Sequence, residues 1–425
     1  MAGNTVYFCV GIDLGDEYSQ VSYYNYNDRE PVSVKFEGSE TEFLVPTVVG
    51  KALGAAKWYV GDEALESAKL GESEMVSGLL QKAIDKNPIK VDDCTVMPLE
   101  LMEKYLDYLM MSARMDGRAD EIDMVCVTVE NFHISLLNVI ARAMENLGID
   151  RSRFIVSSRN ESYIYYALSQ KPELWKNDVF LFDYSKKGLI TRRIYMTVER
   201  GTRIVMVHED DLSKEVPYVK ADSRETCMHL DDKLTALSQQ LFDKTVISSV
   251  YITGEGLIGT LSELTGFVNY ICNRRKVFAG QNLYCKGACY QAFEAVCGTA
   301  FKDFLLACPE RITTGIEMKI SDRGRDKILR MVRPGINWFE ADCSFDFSVD
   351  DMDELEIFLS PLGTREKQLV RVPLGDFPKR PGKATRIAVS FSFTSDSRCH
   401  MMVKDKGFGE FFLSSGIVMN EELLL

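Results

Sequence analysis

Apolar and polar positions alternate with two different rhythms along this chain. Up to about residue 300, short apolar runs are interleaved with stretches of helical spacing; beyond it, only short alternating runs remain. A buried strand is predicted over 6–12. It ends at Asp13 and Gly15 and resumes as an alternating run over 20–26, as two strands joined by a tight turn with positive φ at Gly15. Further runs cover 31–36 and 43–49. Pro46 in the second removes a ladder donor, which predicts an edge or a bulge. Residues 58–64 read as a strand turning into a helix. Over 97–113, Leu99, Met102, Leu106, Leu109 and Met110 fall at the spacing of an amphipathic helix. An unbroken apolar strand over 124–129 precedes a helix over 134–147, stopped by Gly148.

The opening pattern then returns. An apolar strand over 179–183 ends in Asp183, a turn follows, and alternating strands cover 189–198 and 203–208. A strand over 250–254 enters a helix over 257–272. Strand, Asp, hairpin and later strand, helix thus occur twice, a duplication visible without any motif. After Pro309 come runs at 316–320, 328–332, 342–349, 355–359, 369–372, 387–393 and 398–403. Gly, Asp, Asn and Pro separate them at the close spacing of a β-sandwich. The predicted class is α/β followed by β.

Composition narrows the function. A chain of 425 residues holds two or three domains with substantial cores. Its net charge of −13 argues against a nucleic-acid or anionic-membrane partner. No run reaches the roughly 18 apolar residues of a membrane span, and residues 1–5 begin no signal-peptide pattern. Eleven cysteines, an odd number scattered over a long chain, fit a reducing cytosol. A cytoplasmic protein is expected.

The stretch Val10-Gly11-Ile12-Asp13-Leu14-Gly15-Asp16-Glu17-Tyr18-Ser19-Gln20-Val21 resembles the first phosphate loop of the actin-like ATPase clan, most closely that of the DnaK-type (70-kDa) heat-shock chaperones. Asp16 and Glu17 stand where that family has two threonines. Further pieces are similar in consistent order: Val45-Pro46-Thr47, Val60-Gly61, the 124–129 strand, Asn160-Glu161 with Ala167, and Gly287-Ala288-Cys289-Tyr290-Gln291-Ala292. The stretch 375–382 with 387–391 and 403–406 is similar to the peptide-binding β-domain of the same chaperones. The resemblance implies a two-lobed actin-like fold of duplicated RNase H-like halves over 1–302. Lobe I covers about 1–177 and lobe II about 178–302. It also implies a linker at 303–308 and a peptide-binding type of sandwich over 309–425. The helical subdomain that clamps adenine is expected to shrink to one helix over 231–242.

By the same resemblance, Asp13, Glu161 and Asp183 are the catalytic carboxylates, with Asp13 and Asp183 holding magnesium through water. ATP or ADP would meet Gly11, Gly15, Asp16, Glu17, Lys186, Lys187, Gly188, Gly254 and Gly256. The loops depart from what that chemistry asks. Asp16 and Glu17 bring negative charge toward phosphate; like charges at ~4 Å repel by about 1 kcal/mol in water and about 4 kcal/mol at a protein-like dielectric. Only Gly188 survives of the second loop's glycines, although Lys186 or Lys187 can offer a cation. Glu255 adds charge to the third. Asp13 and Asp183 then read as turn caps that accept backbone N–H bonds. The expectation is a pseudo-ATPase that binds protein or peptide clients through the sandwich; the alternative is an active ATP-dependent chaperone with a remodelled phosphate site.

Other candidates have plainer readings. Cys285, Cys289 and Cys297 share a predicted helix face, as small buried hydrophobes or as a metal or redox group. His133 opens a helix, while His208 and His229 show no partners in the sequence. Tyr163, Tyr165 and Tyr166 replace small residues of the family's helix and fill either the nucleotide space or the packing between lobes.

Overall fold

The structure is a computed structural model describing residues 6–36, 42–199, 201–298, 300–322, 324–349, 353–364, 366–381 and 384–425. Residues 1–5, read above for a signal pattern, and Gly382 of the 375–382 stretch lie outside these. The chain is a mixed α/β protein with nine α-helices among the described residues. It divides into two compact units: Met1–Met196 with Val207–Asp303, and Thr197–Met206 with Phe304–Leu425. No helix among the described residues is long and apolar enough to cross a membrane.

The first unit contains the duplication. One sheet runs Phe154–Ser158, Met124–Val129, Cys9–Leu14, Tyr18–Asn25, Glu30–Ser33. Its first three strands are parallel and the rest antiparallel. The other runs Lys276–Ala279, Ile247–Thr253, Asp178–Ser185 and then the residues of Gly188–Glu199 and Thr202–Asp211 that fall in this unit, the same order built from the second half of the chain. Unbroken apolar runs form the central strands because both faces of each sheet are covered. Among the described residues the Val45–Pro46 strand pairs only with the tip of Tyr18–Asn25, the edge position that the proline requires.

Two helices link the halves by exchange. Leu283–Cys297 follows the second sheet but packs on the first, where Ala288 and Ala292 join Cys9, Met124 and Cys126. Gly11 makes that approach possible: a Cβ there would collide with the Cys289 backbone. Arg159–Leu168 follows the first sheet and reaches the second, with Tyr163 and Tyr166 each edge-on to Tyr251. The two helices cross where Gly287 faces the Ser162 backbone, again too close for a Cβ.

Some expectations differ. The helix expected over 257–272 is two, Glu255–Ile258 and Thr265–Cys272. The one expected over 231–242 is longer, Arg224–Leu241, and starts at a Ser223–Thr226 capping box. Gly15 does not have a positive φ; Thr47 shapes the turn instead, its N–H donating to Glu17 O and its hydroxyl to Gly15 O, both at 2.8 Å.

In the second unit, one four-stranded sheet runs Arg325–Val332, Thr314–Asp322, Glu354–Pro361, Gln368–Pro373. The other runs Cys343–Val349, Thr385–Phe393, Arg398–Asp405, Val418–Leu424. Their alternating inward residues, among them Ile316, Ile357, Ile387, Val389, Met401 and Val403, share one core. Residues expected as a linker are a strand: Phe304–Ala307 pairs in parallel with residues 203–206 of the same unit. Asp405 is fully buried and accepts both Arg380 Nη atoms at 2.8 Å, Gly407 N–H at 3.1 Å and Ser415 N–H at 2.7 Å. These bonds fix the loop that presents Phe408, Phe411 and Leu413 to solvent, Phe411 at 93% exposure.

Candidate functional site

At the carboxyl ends of the central strands the two halves of the first unit face a cleft of about 360 Å³. Strand register sets its floor. Asp13 lies opposite Gln20 on one side and Thr128 on the other, and Thr128 lies opposite Ser157. Residues in register share a face, so this row is polar across four strands. In the second half, Asp183 lies between Ile190 and Thr253.

Each aspartate is answered by an arginine. Ser158 caps the Arg159–Leu168 helix by accepting the Glu161 N–H, which leaves Arg159 in the first turn, directed at the cleft. Arg159 donates from Nε to Asp13 Oδ1 and from Nη2 to Asp13 Oδ2, both at 3.1 Å. Its Nη1 lies 3.5 Å from Glu130. Burial pushes the Asp13 carboxyl up and Arg159 pulls it back. Burial alone would lower Arg159, but Asp13, Glu130 and Asp183 outweigh it and hold the guanidinium charged. Arg192 comes from the second hairpin. It donates to Asp183 at 3.3 Å, Asn160 Oδ1 at 2.9 Å and Tyr284 Oη at 2.6 Å, and meets Glu209 at 2.9 Å. Burial keeps the Tyr284 hydroxyl protonated, and it donates to Asp183 at 2.6 Å.

The hairpin tips oppose in charge. Lys186 pairs with Glu17, and Lys187 with Asp16 at 2.6 Å and Glu130 at 2.7 Å. Burial raises the Glu130 carboxyl, yet Arg159 and Lys187 together hold it below its ordinary value. The Lys186 N–H, on the loop expected to grip phosphate, donates to Glu255 Oε1 at 3.0 Å. That N–H is thus taken by a carboxylate of the chain itself.

Asp13, Gly15, Asp16, Glu17, Asp183, Lys186, Lys187 and Gly254 all line the cleft. Glu161 does not: it is 2% exposed, accepting Ser157 Oγ at 3.2 Å and Gln291 Nε2 at 2.9 Å. Gly11 lies under the crossing helix, Gly188 against Ser213, and Gly256 under the Tyr184 ring. Tyr163 and Tyr166 pack on Tyr251 and Tyr165 on Phe301, and none of the three lines the cleft. Cys285 and Cys289 are buried, the Cys285 thiol pushed up to about 12 by burial. His133 is a helix N-cap accepting the Ser135 N–H at 3.1 Å, and His208 lies 3.1 Å from Asp210.

These residues do not fit magnesium nucleotide. Six carboxylates and three cations line the cleft, an excess of negative charge facing any polyanion. The fork on Asp13 takes both oxygens that would hold metal-bound water, and no group of three or more His, Cys, Asp or Glu among the described residues is arranged for a metal. Arg159, Arg192, Glu130 and Tyr284 went unread in the sequence. One signal existed for Arg159, since a cation in the first turn of a helix opposes the macrodipole and calls for a carboxylate partner.

Residues 30–309 match a family described as "Family of unknown function (DUF5716) C-terminal", and residues 311–425 match "Domain of unknown function (DUF8552)". The first match begins after the Asp13 hairpin and includes Glu130, Arg159, Asp183 and Arg192. No curated protein matches the chain.

Proposed function

We propose that this chain, which belongs to the DUF5716 family, is a non-hydrolysing relative of the DnaK-type chaperones that works by holding protein or peptide partners. The reading takes the first unit as a two-lobed actin-like fold, in keeping with its repeated strand order and exchanged helices. It takes the second unit as a sandwich of the peptide-binding type. One observation carries it: Arg159 forks onto Asp13, in the seat that an ATPase keeps for metal-bound water. Lobe closure is then maintained by internal ion pairs, and no nucleotide turnover supplies energy for capture and release. The exposed Phe408, Phe411 and Leu413, on a loop fixed by Asp405, offer an apolar contact for clients. Eleven thiols outside any disulfide go with a reducing compartment such as the cytoplasm.

An ATP-dependent chaperone with a remodelled phosphate site is the competing reading. It requires Arg159 to release Asp13, and Lys186 and Lys187 to release their acids. Calorimetric titration with magnesium ATP, alongside thermal melting, separates the two. Neither heat nor a shift is expected at millimolar ATP. Binding tighter than ~100 μM, about −5.5 kcal/mol, overturns the proposal.

A further inference from the structure

Gln20 is 3% exposed and lines the cleft, yet neither its amide nitrogen nor its amide oxygen has a hydrogen-bond partner among the described residues. Two places along the same row, beyond Asp13, the fully buried Thr128 hydroxyl is also without one among the described residues. Leaving such groups unpaired costs about 1–3 kcal/mol each, so a fold retains them where something else completes the bonds. A primary amide with both ends open is matched by another amide, which accepts from Nε2 and donates to Oε1 at once. The surrounding charge selects further: six carboxylates against three cations favour a cation. The exposed Tyr18 ring on the cleft wall suits an ammonium group. Among the described residues no group of three His, Cys, Asp or Glu is arranged for a bare metal ion, and about 360 Å³ suits a small organic molecule or one side chain with its backbone.

We propose that the cleft binds an amide-bearing ammonium compound, its amide pairing with Gln20 and its amine taking up the excess negative charge of the cleft lining. The same chemistry is offered by a free basic amino-acid amide and by a lysine within a peptide. This goes beyond the client-binding role assigned to the sandwich, and a failure here leaves the magnesium ATP titration untouched.

The test is calorimetry and thermal melting of the full chain at constant ionic strength with four probes. These are lysinamide, cadaverine (charge without amide), acetyl-norleucinamide (amide without charge) and a blocked Ala-Lys-Ala tripeptide. Lysinamide is expected to bind and raise the melting temperature, cadaverine to bind about tenfold more weakly, ~1.4 kcal/mol, and acetyl-norleucinamide not to bind. Binding of the tripeptide identifies a peptide source; binding of lysinamide without it identifies a free small molecule. Gln20→Met, of similar volume, is expected to raise the melting temperature of the ligand-free protein while weakening lysinamide about tenfold. Equal effects from lysinamide and cadaverine, unchanged affinity in Gln20→Met, or no binding of lysinamide or tripeptide at millimolar concentration overturns the proposal.

Discussion

The two half-sheets of the first unit share one strand order and one register, Asp13 opposite Thr128 and Asp183 opposite Thr253, but they settle the same buried carboxylate differently. In the first half the answering cation comes from the helix that follows the last strand, and among the described residues the carboxylate accepts from that fork alone. In the second it comes from the hairpin itself, with Tyr284 as an additional donor. The neighbour in the row is Gln20 in one half and Ile190 in the other. One tip is acidic and the other basic. Duplication thus preserves the backbone position of the aspartate, while the groups that neutralise it are free to come from wherever the chain passes.

The largest expected effect tests that difference directly. Arg159→Ala strips Asp13 of its fork and also removes a cation from Glu130, so a loss of about 3–5 kcal/mol is expected in urea unfolding. Arg192→Ala should cost less, because Asp183 keeps the Tyr284 hydroxyl. Equal losses, or a loss under ~1 kcal/mol for Arg159→Ala, would erase the contrast.

Acid titration sharpens it. The folded Glu130 carboxyl is held below its ordinary value, so its contribution is present above the unfolded-state value of ~4.3 and is lost as pH falls through the folded one. Glu130→Gln should therefore lower stability at neutral pH and flatten the acid limb of a stability-against-pH curve. A variant curve parallel to that of the parent protein would show that Glu130 carries no such linkage.

The smallest effect is at the tips. Lys186 has one acidic side-chain partner and Lys187 two, all at least partly exposed, Glu130 the least. Lys187→Ala should cost more than Lys186→Ala, both within ~1 kcal/mol, with the differences fading in about 1 M salt. A salt-independent difference would point to packing instead of charge.

Much of the first unit was readable because period-two runs broken by Asp and Gly mark strand ends, and because the break at Asp13 recurs at Asp183. The strands of the second unit were readable by the same alternation. Val418–Leu424 was not: Asn420, Glu421 and Glu422 give it no apolar face to detect, as suits a strand with one partner. Phe304–Ala307 resembled an acidic-apolar linker because four residues carry too little pattern to declare a strand. At the site, the aspartates and hairpin tips were legible, but their partners lie as far as 171 residues away, at Lys187 for Asp16, and no local pattern announces such a pairing. Glycine was ambiguous in a specific way. Gly11 admits a close approach, and the approaching object is a helix where a ligand was expected.

The exchanged helices bear on how such a chain comes into being. The cover of the first sheet, Leu283–Cys297, is made after the strands Asp178–Ser185 and Ile247–Thr253 of the second, so the Cys9, Met124 and Cys126 surface stays uncovered on the ribosome until that helix emerges. A chain cut between the halves would leave that surface without its helix. The second half carries a core of its own, with Phe182, Leu234, Val250 and Phe267 among its members, so the exchange leaves the first half dependent on a helix made late.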